Sequence, residues 1–278
     1  MEHTTYFQDI GSQPNGSIRL KIEEEGAGHT LICLHGLGGG AYFFRGMGQR
    51  LKDRFRVVAF DLPGTGGSRG PGTSPFSMQG CVDALVGMLG RQAPGSVSVL
   101  GHSLGTIVAL LANQAAPGLI RSMIFVGGLP AVTEKIRQRL TDRALEIRKQ
   151  GMDGLGVRAV KGIFSKRFLT LEPESAALFA VLLESTPPEI YLLCLEELLR
   201  ASADAVVAKV DIPCLTLTGS EDQYAPPEAV KRFGTLLPNP PAFVEMPACG
   251  HMPFLENPEG FAKEITGFLD QVLFRNSR

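Results

Sequence analysis

Two periodicities share the chain. Short runs of apolar residues, "TLICLHG" (30–36), "RVVAFDLPG" (56–64), "SVSVLGHS" (96–103), "SMIFVGG" (122–128), "PCLTLTGS" (213–220) and "AFVEMPACGH" (242–251), read as β-strands. Their unbroken apolar character suits strands buried on both faces of a mainly parallel sheet. Between them lie helical patterns: "YFFRGMGQRLKD" (42–53), "MQGCVDALVGMLGRQ" (78–92), "LGTIVALLANQAA" (104–116), "PEAVKRFGTLLP" (227–238) and "PEGFAKEITGFLDQVLF" (258–274). Several open with proline or a polar cap. Ahead of them all, "SIRLKIEEEG" (17–26) follows the turn-prone "QPNG" (13–16) and predicts an N-terminal hairpin. Strand–helix alternation predicts a layered α/β fold with right-handed crossovers.

One segment breaks the rhythm. From 131 to 209 the sequence is helical and holds no convincing strand. It includes "EKIRQRLTDRALEIRKQGMDGLGVRAVKGIF" (134–164) and "ESAALFAVLLESTPPEIYLLCLEELLRASADAVVAKV" (174–210). A helical block inserted between two core strands would sit above the strand ends as a lid. The expected division is a core of residues 1–130 and 210–278 with a helical cap of residues 131–209. No internal repeat or low-complexity tract interrupts it.

Composition narrows the classes of function. The 278 residues suffice for one large domain carrying an insertion, and 44% hydrophobic residues, 20% charged residues and a net charge of −1 describe an ordinary globular protein. No basic excess points to nucleic acid or to a membrane surface, and no apolar stretch approaches the length of a bilayer span. "MEHTTYFQDI" lacks the pattern of a signal peptide, and "RNSR" at the other end matches no anchoring signal. Cys33, Cys81, Cys194, Cys214 and Cys249 lie among apolar neighbours without C-x-x-C spacing. They read as buried, reduced thiols in a cytoplasmic protein, with no metal site and no disulfide framework.

Candidate chemistry begins with two G-x-S-x-G matches, "GGSRG" (66–70) and "GHSLG" (101–105). A serine hydroxyl is a poor nucleophile until a base takes its proton, so its setting matters as much as its identity. A buried strand runs directly into Ser103, a helix follows at once, and Gly101 and Gly105 permit a tight turn that holds Ser103 outward. The Leu104 amide, at the helix start, would face a developing oxyanion. Ser68 is followed by a Gly- and Pro-rich loop and no helix. Context selects Ser103.

An acid and a histidine should follow, each after a later strand. "CLTLTGSEDQYAPP" (214–227) offers Glu221 and Asp222, and adjacency in a loop leaves both open, with Asp222 preferred. "VEMPACGHMPF" (244–254) places His251 past the last strand. His3 and His29 lie outside the loops after core strands, His102 flanks the serine, and His35 precedes a glycine loop and reads as bracing it by hydrogen bonds. His251 is left as the general base. The second oxyanion donor is the backbone amide of Leu37 in "HGLGGG" (35–40). That loop lacks the lysine of a phosphate-binding loop and the acid of a dinucleotide fingerprint, so no cofactor is expected.

In order, "HGLGGG", "DLPGTGGS", "GHSLG" and "GSEDQYAPP…GHMPFLENPEGF" make the chain resemble the α/β-hydrolase superfamily from about residue 17 to its end. The resemblance implies an eight-stranded, mostly parallel sheet with helices on both faces, and a cap inserted after the sixth strand. It also implies a triad of Ser103, Asp222 and His251, with oxyanion amides from Leu37 and Leu104. The cap resembles that of 3-oxoadipate enol-lactonase-like and other small-ester hydrolases through "RALEIRKQGMDGL", "KRF" and "PPEIYLLCLEEL". Departures are Thr65 in place of the usual histidine of D-x-x-G-H-G-x-S, Thr106 where glycine is frequent, and the absence of tryptophan.

The expected activity is hydrolysis of a small carboxylic ester or lactone through an acyl-enzyme, by a monomer or homodimer with no nucleic-acid or membrane partner. Phe168, Tyr191 and Arg167 are candidate substrate contacts in the cap, with Arg167 available to a substrate carboxylate. Three other readings share the fold: a carbon–carbon bond hydrolase of dienones, a cofactor-free perhydrolase, and a ligand-binding receptor with a silent triad.

Overall fold

A computed structural model describes residues 3–13, 16–70 and 75–274. Eight strands form one sheet: β1 (Thr4–Gln13), β2 (Gly16–Glu25), β3 (His29–Leu34), β4 (Phe55–Phe60), β5 (Val97–His102), β6 (Ile120–Val126), β7 (Cys214–Gly219) and β8 (Ala242–Met246). Their spatial order is β1-β2-β4-β3-β5-β6-β7-β8. The six from β3 to β8 pair parallel, while β1, β2 and β4 pair antiparallel in succession. The expected hairpin is therefore β1–β2, although Pro14 and Asn15 of its "QPNG" turn lie outside the described residues, as does the terminal "RNSR".

Burial follows position in the sheet. β5 and β7 are buried throughout, as their apolar sequences require when both faces are covered. β8 departs from the expectation, because it is an edge strand, paired only with β7. Ala242 and Glu245 are exposed there, and the strand stops at Met246.

The first three helices connect the early strands: α1 (Arg45–Leu51), α2 (Met78–Leu89), capped by Ser77 at the Gly80 amide, and α3 (Leu104–Ala115). Between β6 and β7 come α4 (Glu134–Gln150), α5 (Leu155–Ile163), α6 (Lys166–Leu171), α7 (Pro173–Glu184), α8 (Pro188–Arg200) and α9 (Asp204–Val207). A lone β-bridge from Ala131 to Ser202 and a hydrogen bond from the Ala203 amide to the Pro130 carbonyl close the base of this excursion. The chain ends with α10 (Pro227–Gly234), α11 (Pro253–Glu256) and α12 (Pro258–Phe274). α2 packs on α3 and α1 packs on α12, so helices cover both faces of the sheet. No single described helix is long and apolar enough to cross a membrane. All five cysteines are free and buried.

Candidate active site

The parallel strands end side by side, and the residues singled out in the sequence follow directly on those ends. Ser103 comes straight after β5 at φ 52° and ψ −114°, a backbone conformation that a non-glycine residue adopts at a cost of about 1–3 kcal/mol. Its amide donates to the Val126 carbonyl of β6, and its carbonyl accepts from Thr106 as α3 begins. The flanking glycines serve close approach rather than positive φ. A Cβ on Gly101 would lie 2.5 Å from the Gly105 carbonyl oxygen, and one on Gly105 would lie 2.5 Å from that of Leu34. Gly105→Ala is expected to destabilise the fold by about 1–3 kcal/mol, read as a lowered Tm, because backbone on either side must shift. A Tm equal to that of the parent would show that the elbow tolerates a methyl group.

Across from the elbow, the loop after β3 runs against Ser103. A Cβ on Gly36 would sit 2.9 Å from the Ser103 Cβ. Leu37 and Leu104 both line the cavity over Ser103. Leu104 opens α3, where the first amides have no intrahelical partner and the helix dipole favours negative charge.

Asp222 follows β7 and is 3% exposed. Its Oδ1 accepts the amides of Tyr224 and Ala225 at 2.8 and 2.9 Å, while its Oδ2 accepts Thr218 Oγ1 and lies 2.8 Å from His251 Nδ1. Burial pushes this carboxyl upward, but the adjacent imidazole and the donated hydrogen bonds outweigh it and hold the pKa below the ordinary aspartate value. An ionised carboxylate only accepts, so in the neutral imidazole the proton sits on His251 Nδ1 and Nε2 carries the lone pair. Gly127, at φ 53° past β6, makes room for the pair: a Cβ there would be 3.0 Å from both Asp222 Oδ2 and His251 Nδ1. Glu221 turns elsewhere, accepting the Lys166 amide at the start of α6. Geometry thus separates two adjacent acids that spacing left open.

Two other histidines brace the site. His35 Nδ1 donates to the Gly36 carbonyl and its Nε2 accepts the Leu62 amide, tying the loop after β3 to the loop after β4. Burial holds its pKa below the usual histidine value. Asp61 makes a second tie between those loops, accepting the amides of Ala41 and Gly67. Thr65 stands where histidine is usual, and its hydroxyl donates to the Leu62 carbonyl. His102 donates from Nε2 to the His251 carbonyl, and its pKa falls well below normal through burial and the neighbouring His251. Ser68 is buried against β2, where its Oγ accepts the Lys21 amide, so it is spent in the scaffold.

One carboxylate went unread in the sequence. Glu256 is buried, accepts the Gly250 amide through Oε1 and the Ser165 amide through Oε2, and so joins the loop carrying His251 to the foot of α6. An acid inside the apolar "PFLEN" was the available signal.

Ser103, His102 and His251 open into a cavity whose opposite wall comes from α4, α5, α7 and α8 and is largely apolar. Of the three candidates from that region, Tyr191 lines it. Phe168 does not: it stacks on Phe164 at 4.6 Å and lines a separate groove. Arg167 does not either, because α6 buries none of its residues and Arg167 is exposed on it. The cation that does line the cavity is Arg143. It falls on the stripe of α4 that holds Ile136, Leu140, Ala144 and Ile147, and an arginine on an apolar stripe was its signal.

Comparison with known proteins agrees with this architecture. A model of the Alpha/beta hydrolase family matches residues 31–264. A pimeloyl-[acyl-carrier protein] methyl ester esterase of Pectobacterium atrosepticum is 30% identical over 256 residues, covering 90% of this chain and 98% of its own. Among solved structures, a thermophilic esterase from Thermogutta terrifontis has a TM-score of 0.84 at 23% identity, covering 97% of this chain and 99% of the other. The enol-lactonase from Burkholderia xenovorans has a TM-score of 0.81 at 18% identity, covering 91% and 96%.

Proposed function

The chain belongs to the alpha/beta hydrolase family, and from that premise we propose that it hydrolyses a small carboxylic ester or lactone through Ser103, His251 and Asp222. The observation that carries the reading is the buried 2.8 Å contact of His251 Nδ1 with Asp222, in the same cavity wall as the strained Ser103. The likeness to a methyl ester esterase supports an ester as substrate.

In the proposed mechanism His251 Nε2 takes the Ser103 proton as Oγ attacks the carbonyl carbon. Asp222 stabilises the imidazolium that forms and holds its tautomer. The amides of Leu37 and Leu104 bind the oxyanion, each worth about 3–4 kcal/mol in the transition state. His251 then protonates the departing alkoxide, leaving an acyl-serine. Water, deprotonated by the same nitrogen, releases the acid. The helices of residues 131–209 act as the cap that gives this chemistry an apolar chamber over a core of residues 1–130 and 210–278.

A fluorophosphonate probe followed by peptide mass spectrometry tests the assignment. The expected product is one adduct per chain, on Ser103. An unmodified Ser103, or an adduct on another serine, would remove it as the nucleophile.

A further inference from the structure

Arg143 has no task in the hydrolytic steps. It lines the cavity together with Ser103 and His251, and the described lining residues include no aspartate, glutamate or lysine. Its guanidinium is therefore the one fixed charge among them. It donates from Nη1 to the Tyr191 hydroxyl at 3.0 Å and from Nη2 to the Tyr224 hydroxyl at 2.7 Å. Both acceptors are phenol hydroxyls, and no described carboxylate forms an ion pair with Arg143. A half-buried guanidinium without a counter-ion carries a desolvation cost, and a ligand anion is what would offset it.

The surroundings favour an anion. Each phenol, having accepted from Arg143, keeps its own proton to donate, and the rest of the guanidinium fork stays available. Arg139 lies with its guanidinium carbon 4.5 Å from the centre of the Tyr224 ring and adds positive charge behind it. The Tyr224 ring also packs against the His251 ring, with centroids 5.0 Å apart. One aromatic side chain thus spans the distance from the general base to the cation. A substrate whose carbonyl sits at Ser103 would reach Arg143 with a group only a few carbons away.

We propose that Arg143, seated by Tyr191 and Tyr224, binds a substrate carboxylate and makes this cavity selective for half-esters of short dicarboxylic acids. The inference rests on the ester hydrolase reading. It differs from a merely structural part for Arg143, which would hold the two tyrosines and affect all esters alike.

The test compares monomethyl glutarate with methyl valerate, which carries a methyl group in place of the distal carboxylate. The parent protein is expected to favour the half-ester by about tenfold or more in kcat/KM, the scale of a charge-assisted contact. Arg143→Met is expected to lower that ratio by roughly 10–100-fold, and Arg143→Lys to keep part of it. Methyl 5-aminopentanoate, with a cationic tail, should be the poorest of the three for the parent, a comparison that needs no variant to fold. A parent ratio near one, or a ratio that Arg143→Met leaves unchanged, overturns the proposal. Failure of the underlying reading looks different: none of the esters is turned over and the fluorophosphonate does not mark Ser103.

Discussion

Ser103→Ala is expected to lower kcat for ester hydrolysis by on the order of 10⁶, with no change in the fold. The substitution keeps the Cβ, so the backbone at φ 52° carries the same strain and the contact with Gly36 persists. Only Oγ is lost, and with it the acyl-enzyme route. A residual rate should survive, because the proposed oxyanion amides of Leu37 and Leu104 would still polarise a bound carbonyl towards direct attack by water. His251→Ala should cost a similar amount, and the double variant no more than either single one, since the two groups act as a unit. Stopped assays on purified variants of equal Tm decide the matter. A Ser103→Ala protein within tenfold of its parent would mean that the chemistry lies elsewhere in the cavity.

The same serine shows how far a sequence can be read. "GGSRG" and "GHSLG" match one pattern, and they differ in what surrounds them: a strand and then a helix around Ser103, a glycine loop after Ser68. That difference is local, so it was legible, and Ser68 proves to be hydrogen-bonded to the amide of Lys21. Strand ends were legible for the same reason, because apolar runs stop where chain leaves the core. His251, expected past the last strand, lies there and lines the same cavity as Ser103.

What depends on the approach of distant segments was not legible in this way. Helical periodicity says which side of α4 is buried but not what it is buried against, so Arg143 read as one charge among many. Arg167 and Phe168 drew notice by residue type alone, and α6 lies outside the cavity wall. Glu256 acquires a role only because Ser165, 91 positions earlier, returns to meet it. β8 reads with the strands buried on both faces because its run is mostly apolar, and Glu245 is the one mark of an edge. Nor could spacing choose between Glu221 and Asp222; the side chains part only once α6 and the His251 loop have taken their places on either side.

Those two acids yield the second large effect. Asp222→Asn is expected to lower kcat by on the order of 10⁴ at neutral pH, while Glu221→Gln stays within about threefold. The carboxylate of Asp222 selects the tautomer with the proton on Nδ1, and an amide in its place can donate to Nδ1 and put that proton on Nε2, where it blocks the base. It also withdraws the charge that supports the imidazolium. Stability follows the same group. The folded-state pKa of Asp222 lies below its unfolded value, so the stabilisation it contributes is present above the unfolded pKa and is lost as pH falls through the folded one. The parent should therefore unfold at higher temperature than Asp222→Asn near neutrality, and the gap should narrow in acid below the ordinary carboxylate range. Glu221→Gln removes a charge but keeps an oxygen that can accept the one amide it serves, at an exposed helix start, and its rate is the control. Full activity in Asp222→Asn with a collapse in Glu221→Gln would exchange their roles and require the loop after β7 to be placed differently against His251.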